Sequence, residues 1–315
     1  MSDKTKIADI IDPEIVAELV ATQYADASVL LTSGAVRTDT NGQIKEGGQR
    51  ILIPRWNRAS AAWQELSEST SLTTKKVTAA SEYGVVVRRG DAFSVLDTAK
   101  IVSAQDPNAE LARQISMDVG YNVDSTFISL LKGAIPTATN QYDYSGTGTI
   151  VEDAVMTAKG KAGDKMGELK VFACHSKVYT DLLKRNVVQF KDAQNDLGLT
   201  ILTGQIPTYL GMIVLVSDKL TVVSGTPTKY HSLLLGMEAL YNGVQSDFNL
   251  EMDRDILAKE DLISYDIHFV PHLVGMSWKS TSPLNPTDAN IETAGNWELK
   301  ASSAKLVRAI RLITQ

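Results

Sequence analysis

The stretch from Asp91 to Gly133, DAFSVLDTAKIVSAQDPNAELARQISMDVGYNVDSTFISLLKG, has the most regular apolar pattern in the chain. An apolar residue recurs there at every fourth position, and these residues are Leu111, Ile115, Val119, Val123, Phe127 and Leu131. This spacing predicts a helix over 107–132 with one buried face. Asp106 suits the N-cap, Pro107 the first helical position and Gly133 the residue past the end. At 1.5 Å per residue the helix would span roughly 39 Å, a length typical of a structural backbone onto which other elements pack.

The composition is that of a folded protein with a mild acidic excess. The chain has 315 residues, of which 43% are hydrophobic and 22% charged, and its formal net charge is −6. A chain of this length can bury a sizeable core and hold two subdomains. Because nucleic-acid binders usually show a basic excess or a basic stripe, the charge argues against a dedicated nucleic-acid binder.

Cysteine content and hydropathy predict the compartment. Cys174 is the only cysteine, so no intrachain disulfide can form and a reducing compartment is expected. The N-terminal segment MSDKTKIADIIDPEIVAEL lacks a basic region followed by an apolar core, and so does not match a secretory signal. No stretch approaches the roughly 18 apolar residues that a membrane-spanning helix needs. We therefore expect synthesis in a cytoplasm and no membrane contact.

The residues ahead of the predicted helix form two polar segments. Residues 1–48 predict an arm with one short amphipathic helix beginning at Pro13. Residues 50–56 (RILIPRW) and 83–89 (YGVVVRR) predict two strands. About 25 polar or small residues separate these strands, a length that is uncommon for a loop inside a compact domain. We therefore expect a long two-stranded hairpin that projects and rests on another surface, since an isolated hairpin is only marginally stable.

Beyond residue 150 the pattern is mixed α/β. Residues 297–313 alternate enough to form a pair of strands, with a terminal helix as the alternative. Helices are predicted over 150–159 and 176–186, and strands over 169–174, 212–217, 230–235, 244–254 and 262–270.

Several short segments occur in a defined order from residue 48 onward. They are GQRILIPRW at 48–56, LTTKK at 72–76, VVVRRGDAFSVLD at 85–97, Asp106-Pro107 ahead of a helix ending in LLKG, YLGMIVLVS at 209–217, residues 230–239, DRD at 253–255 and HLVGMSW at 272–278. In this order and spacing they resemble the major capsid (coat) proteins of tailed bacteriophages, which share the Hong Kong 97-type fold. The resemblance covers about residues 45–313, which is most of the chain.

This resemblance implies an α+β fold in four parts. They are an N-terminal arm (1–48), an extended β-hairpin loop (49–90), a peripheral domain that contains the spine helix (91–135 and 250–315) and an axial domain (136–249). Because only a short arm precedes the loop, we expect a separate scaffold protein or none, and no cleavage of this chain.

The resemblance also implies a structural, non-enzymatic role. Pentamers and hexamers of the chain would form a closed icosahedral shell around double-stranded DNA, without sequence-specific DNA binding. Scaffold, portal and decoration proteins would be further partners. The expected location is the virion capsid, after synthesis in the host cytoplasm.

Under this resemblance the hairpin is the expected contact element between subunits. Its charges would pair with residues of neighbouring copies, and exposed pairs contribute about 0–1 kcal/mol each. Specificity would also need buried apolar anchors, for which Trp56 and Trp63 are the candidates, although Trp56 could instead cover the strand pair locally. The charged candidates are Arg50, Arg55, Arg58, Lys75, Lys76, Arg88 and Arg89, together with Glu65, Glu68 and Glu82.

Two other functions fit parts of the sequence. A bacterial nanocompartment (encapsulin-like) shell has the same fold and encloses an enzyme cargo. The long polar arm favours the capsid, because cargo-enclosing shells tend to start with a compact helix. An unrelated α/β enzyme is the third interpretation, and a compact enzyme of this length would have a radius of gyration near ~20 Å, smaller than a subunit with a projecting hairpin.

The sequence predicts no catalytic residues, no cofactor and no metal site. Cys174 and His175 are adjacent at a strand end, where side chains point to opposite faces, so a buried structural cysteine is expected instead of a thiolate–imidazole pair. His268 and His272 are four residues apart, a spacing that suits zinc only on a helix, and Pro271 with its β-type neighbours favours a strand.

Three further patterns are interpreted as structural. The glycines of 146–148 follow no clear strand and lack a third glycine, so they predict a loop and no phosphate-binding turn. In 253–255 (DRD), charge pairing with an arginine is favoured over a cation site. Lys75 or Lys76 lies where some capsid proteins have a crosslinking lysine, but no matching asparagine motif is present, and no crosslink is predicted.

Overall fold

A computed structural model describes residues 28–39, 48–56, 74, 79–96, 107–185, 189–192 and 205–315. Within these ranges the helices are α1 (Pro107–Ala134), α2 (Thr137–Asn140), α3 (Glu152–Gly160), α4 (Ser176–Lys184) and α5 (Asp288–Glu292). The strands are β1 (Val36–Asp39), β2 (Arg50–Trp56), β3 (Ala79–Val85), β4 (Val87–Leu96), β5 (Gln141–Asp143), β6 (Leu169–Cys174), β7 (Gln189–Asp192), β8 (Gln205–Tyr209), β9 (Met212–Val216), β10 (Val222–Val223), β11 (Lys229–Gly236), β12 (Leu240–Asp255), β13 (Glu260–Leu273), β14 (Met276–Trp278), β15 (Trp297–Leu299) and β16 (Ala309–Thr314).

Helix α1 begins at Pro107, as predicted, and buries the predicted apolar stripe. Five members of the stripe are almost fully buried: Ile115, Val119, Val123, Phe127 and Leu131. They pack against Ile263, Tyr265, Ile267 and Phe269 of β13 in the largest core cluster. Asp106, the predicted N-cap, and the side chain of Leu111 lie outside the described residues.

The end of α1 differs from the prediction. The helix continues through Gly133 to Ala134, so Gly133 is not the residue past the end. A β-carbon at Gly133 would overlap the carbonyl oxygen of Ile291 and come within 2.8 Å of the carbonyl carbon of Glu292. Close approach of α5 therefore explains this glycine, where the sequence pattern indicated a helix end.

A four-stranded sheet lies against α1 in the order β1-β12-β13-β4. The strands β12 and β13 form one long antiparallel hairpin, and β4 pairs with β13 from Val87↔Phe269 to Leu96↔Glu260. The strand predicted over 83–89 is in fact two strands, because the chain leaves β3 at Val85 and enters this sheet at Val87.

Part of the predicted arm belongs to the body of the subunit. The strand β1 pairs in parallel with β12. Just before β1, the Asp124 carboxylate of α1 accepts hydrogen bonds from the Ser28 hydroxyl and from the N–H groups of Val29 (3.0 Å) and Leu30 (3.2 Å). Residues 28–39 are therefore fastened to the spine helix and to the four-stranded sheet.

The second sheet has eight strands, in the order β5-β16-β11-β6-β9-β8-β7 with β10 paired to β11. Alternate residues of β11 fill different cores. Leu234 faces a core that contains residues of α3 and α4, whereas Leu233 and Leu235 face the core that contains α1. Burial on both faces accounts for the nearly continuous apolar runs in β6 and β11.

The C-terminal segment crosses between sheets. The predicted strand pair over 297–313 exists as β15 and β16, but β15 pairs with β14 whereas β16 lies between β5 and β11. Ile310 and Leu312 of β16 fill the core beside α3. The last strand thus belongs to the sheet built from 141–236, and residues 240–249 belong to the four-stranded sheet.

Candidate inter-subunit contact site

The predicted hairpin is present at its base. The strands β2 and β3 pair antiparallel from Arg50↔Val85 to Trp56↔Ala79 and form a separate two-stranded sheet in the described part of the chain. Arg55 and Trp56 lie at the far end of β2, where the description covers the backbone alone. The other hairpin candidates, Arg58, Trp63, Glu65, Glu68, Lys75 and Lys76, lie outside the described residues, so their contacts stay predictions.

The Arg50 side chain is used inside the subunit. Its guanidinium donates to the carbonyl oxygen of Trp278 at 2.6 Å and lies 4.3 Å from the centre of the Tyr83 ring. The N–H of Tyr83 in turn donates to the Ser277 hydroxyl at 3.0 Å. Both strands of the hairpin are therefore held to β14 at the hairpin root, by which we mean residues 50–53 and 81–86.

Glu82 is also used inside the subunit, although the sequence suggested a role in contacts between subunits. Its carboxylate is buried, lies 3.2 Å from Nε2 of His272 and accepts the N–H of Gly275 at 2.9 Å. Burial of this pair was not predictable from local pattern. The one available signal is His272 itself, a titratable residue within the apolar end of β13.

Arg88 and Arg89 differ in their surroundings. Arg89 donates to the carbonyl oxygen of Pro286 at 2.9 Å and forms an ion pair with Asp288 at 3.0 Å. The Arg88 side chain is exposed, and its backbone N–H donates to Asn285. Of these two arginines, Arg88 is the better candidate for a neighbouring subunit.

A second candidate contact feature, which the sequence interpretation missed, is the turn between β12 and β13. Ile256 and Leu257 are 77% and 96% exposed there. The Asp255 carboxylate accepts the N–H groups of Leu257 (2.8 Å) and Ala258 (3.0 Å), which rigidifies the turn. The signal was available in the sequence, because an aliphatic pair within the charged segment DRDILAKE is unusual for a solvent-facing turn.

The DRD segment acts in charge pairing. Arg254 of β12 forms an ion pair with Asp261 of β13 at 2.8 Å, close to the exposed pair Ile256 and Leu257. We call Ile256 and Leu257 the apolar prong. Its two adjacent and highly exposed aliphatic side chains make this turn a candidate contact surface.

The chemical patterns of the sequence have structural roles in the described residues. Cys174 is buried, and burial raises the pKa of its thiol to about 12. Nδ1 of His175 accepts the N–H of Lys177 at the start of α4. His268 lies 3.3 Å from Asp266 on strand β13. No group of three or more potential metal ligands occurs in the described ranges.

None of the helices in those ranges combines the length and the apolarity needed to cross a bilayer.

The described part of the chain contains a body built on two main sheets, a hairpin held at its root and the apolar prong.

Comparison with known proteins identifies phage capsid proteins of similar sequence and structure. The chain is 27% identical to the major capsid protein of Bacillus phage SPP1, over 98% of this chain and 97% of that protein. Its structure resembles the capsid of Ralstonia phage GP4, with a TM-score of 0.62, 10% identity and coverage of 90% of this chain and 87% of that one. It also resembles the head structure of Helicobacter pylori bacteriophage KHP40, with a TM-score of 0.60, 10% identity and coverage of 92% and 90%.

These likenesses confirm the predicted fold. The chain has the α+β Hong Kong 97-type fold of phage capsid proteins. The family model described as Gp13-like, major capsid protein 13-like, matches residues 52–308. Since that match covers most of the chain, the protein belongs to the Gp13-like family of phage major capsid proteins.

Proposed function

We propose that pentamers and hexamers of this capsid subunit assemble into a closed icosahedral shell around double-stranded DNA. The observation that carries the proposal is the family match over residues 52–308, on a subunit whose described body has a hairpin and a prong extending from it. A closed shell needs heterologous contacts that repeat in slightly different settings. The two-sheet body is suited to keep its shape, and the projecting elements are suited to make those contacts.

The contacts that we propose combine charge pairs with apolar anchors. Exposed charge pairs contribute little individually, so the free energy of association would come from buried apolar groups surrounded by many such pairs. On the hairpin the candidates are Trp56, Trp63 and the charges beyond its root. On the body they are the Arg88 side chain and the apolar prong.

The proposed division of the subunit follows its sheets. The hairpin loop comprises 49–90. The peripheral domain comprises α1, α5 and the four-stranded sheet, and the axial domain comprises the eight-stranded sheet with α3 and α4. Compared with the division expected from sequence, this grouping moves β16 to the axial domain and the start of β12 to the peripheral domain.

The role that we propose is structural and non-enzymatic. The relatives and structural neighbours are capsid proteins, which does not favour the nanocompartment alternative. The net charge of −6 suits a shell that encloses DNA without binding it tightly or with sequence specificity. Synthesis in the host cytoplasm, location in the virion, and scaffold, portal and decoration partners are parts of the same proposal.

Negative-stain electron microscopy with light scattering on the same sample tests the proposal. The full chain is purified alone and after coexpression with scaffold candidates encoded beside it. We expect uniform closed shells or rings of five and six subunits. A monodisperse monomer or dimer that persists with scaffold and crowding agents present would contradict shell formation. Nuclease-protected DNA in particles from infected cells would distinguish a capsid from a compartment that encloses protein.

A further inference from the structure

We propose that Glu82 and His272 form a releasable clasp, which fixes the direction in which the hairpin β2–β3 leaves the body and opens without unfolding that body. The inference deepens the proposed function, because it concerns the element offered as the contact between subunits.

The hairpin is attached to the body by side chains instead of a strand ladder. In the described chain, β2 and β3 pair with each other and with no strand of the two main sheets. The carboxylate of Glu82 joins β3 to His272 at the end of β13 and to the N–H of Gly275 in the following turn. The Arg50 contact with Trp278 and the Tyr83 contact with Ser277 add to this attachment.

Most of the apolar support beneath the hairpin is a small cluster. Ile51, Val86 and Val270 form this cluster, with Tyr241 packed against it. At the end of β3, Val85 joins the large core that contains α1. Gly84 fits closely on this support, because a β-carbon there would lie 2.6 Å from Cγ1 of Val270. An element with so little shared core can open at a lower free energy than the body needs for unfolding.

Each partner of the clasp depends on the other, and together they fix the direction of the hairpin. Both partners are almost fully buried, with side-chain exposures of 0% for His272 and 2% for Glu82. Losing either partner leaves the other buried and short of a hydrogen bond, which costs more than losing an exposed pair. Apolar contacts tolerate sliding, whereas hydrogen bonds weaken steeply when their angle changes. The clasp therefore favours one hairpin direction over its neighbours.

A cavity of about 340 Å³, lined by both polar and apolar residues, lies beside the clasp and makes release feasible. Glu82 and His272 both line it. Water in such a cavity can hydrate both groups once the hairpin moves, so opening does not strand a charge in an apolar core. The other polar groups that face this cavity are Arg37, Asp39, Glu238, Tyr241 and Arg308.

Hydrogen exchange on the full-length subunit tests the clasp directly. Glu82→Ala should raise amide exchange in 50–53 and 81–86 at least about tenfold, the effect of losing a buried hydrogen bond to a charged group. Exchange in β6 and β11 should stay at the wild-type rate. Glu82→Gln should lie between the two, because its amide oxygen can take the place of Oε2, which contacts both Nε2 of His272 and the N–H of Gly275, but without the carboxylate charge.

The matched control is Phe172→Leu, which opens a cavity in the core beneath the eight-stranded sheet. It should raise exchange in β6 and β11 and leave the hairpin root unchanged. Unchanged exchange at the root in both Glu82 variants, or an equal rise throughout the subunit, would overturn the clasp. Glu82→Gln keeps the test valid if Glu82→Ala does not fold.

Electron microscopy of the same variants tests the consequence for assembly. Wild-type subunits should form uniform shells, and Glu82→Ala should give fewer or misshapen ones. Shells of wild-type yield and shape from a variant with an opened root would overturn the role of hairpin direction. If the wild type itself forms no shells, the proposed function fails, while the exchange data still decide whether the clasp exists.

Discussion

The backbone of Gly133 in α1 lies directly against the backbone of Ile291 in α5. This contact brings the two helices closer than any side chain at position 133 would allow. Lys132 and Glu292 form an ion pair at 2.5 Å beside it, and the Trp297 indole N–H donates to the carbonyl oxygen of Ile291 at 2.8 Å. The short helix is therefore fastened to the end of the spine helix by backbone proximity as well as by side chains.

Gly133→Ala should destabilise the subunit. Alanine favours a helix interior by about 1 kcal/mol over glycine. Overlap with the backbone at 291–292 should outweigh that gain, since overpacking costs about 1–3 kcal/mol and backbone yields less readily than side chains. We expect a net loss of about 1–2 kcal/mol in denaturant unfolding. Gly160→Ala is the control, because nothing lies within 4 Å of its β-carbon position, and it should be neutral or slightly stabilising. Equal effects of the two substitutions would refute the contact.

Arg311 should be needed at the junction between the spine helix and the eight-stranded sheet. Its buried guanidinium donates to the carbonyl oxygens of Leu131 (2.8 Å) and Lys132 (2.5 Å), in the last turn of α1, and to the side-chain oxygen of Gln141 (3.2 Å). Lysine keeps the charge but not the planar fork. Arg311→Lys should therefore lower the free energy of unfolding by about 2 kcal/mol.

The matched variant for Arg311→Lys is Arg185→Lys, at an exposed arginine with a single 3.3 Å contact to Thr149. That change should stay within about 0.5 kcal/mol of the wild type. Urea unfolding monitored by tryptophan fluorescence provides both values. A loss from Arg311→Lys no larger than the control's would show that the three acceptors do not depend on the guanidinium.

His231 should make the subunit less stable in acid. Burial, followed by the charges of Arg311 and Lys132, lowers the pKa of His231 from 6.5 to about 4. The unfolded chain therefore binds a proton first as the pH falls, and stability that is complete above pH 6.5 is lost between about 6.5 and 4. The full shift corresponds to about 3 kcal/mol. Because the side chain is partly open to solvent, we expect about 1–2 kcal/mol.

His231→Gln should remove that part of the acid dependence. The measurement is the free energy of unfolding at a series of pH values from 7.5 to 4 for both proteins. The two curves should converge as the pH falls, with the variant losing less stability than the wild type. Parallel curves across this range would mean that His231 does not contribute.

The ion pair between Arg89 and Asp288 should be weak and internal to the subunit. Its side chains are 34% and 43% exposed, and exposed pairs contribute about 0–1 kcal/mol. A double-mutant cycle with Arg89→Met and Asp288→Asn should give a coupling energy below about 1 kcal/mol, falling further in high salt. A coupling energy above 2 kcal/mol, or one that appears only in assembled shells, would contradict an intramolecular surface pair.

The apolar prong should matter for assembly and not for folding. Ile256→Ser with Leu257→Ser removes exposed surface, so the free energy of unfolding should change by less than about 0.5 kcal/mol. Shell yield, measured by light scattering and electron microscopy, should fall at least about tenfold if both side chains anchor a neighbour. The swap Ile256→Leu with Leu257→Ile keeps the apolar surface and should assemble normally. Normal shells from the serine variant would remove the prong from the contact surface.

The local spacing of apolar residues was informative where a single structural requirement explains it. The four-residue spacing from Ile115 to Leu131 predicted a helix because a helix places those residues on one face and the run is longer than a typical strand. The segment LKVFAC was predicted as a strand over the residues that form β6, since a short apolar run suits a strand buried on both faces. The order of such segments was enough to indicate the capsid fold.

The sequence pattern was interpreted wrongly where one residue type can meet either of two structural requirements. A glycine after an apolar stripe fits a helix end as well as a close approach, and Gly133 serves the second. Glu82 looked like one more hairpin charge, and its burial depends on His272, which is 190 residues away in sequence. The exposed pair at 256–257 was missed, because the segment around it was interpreted only for its charge pairing.

By itself the sequence determined that the strongly patterned segments, such as α1 and β6, are a helix and a strand and which of their residues are apolar, because those properties depend on neighbours within a few residues. Only the tertiary structure decided the partners of those faces. It brought β16 into the sheet of β6 and β11, set α5 against Gly133, and joined Glu82 to His272 at the hairpin root. Contacts between distant residues depend on how whole elements pack, and periodicity reports that a face is buried but not what covers it.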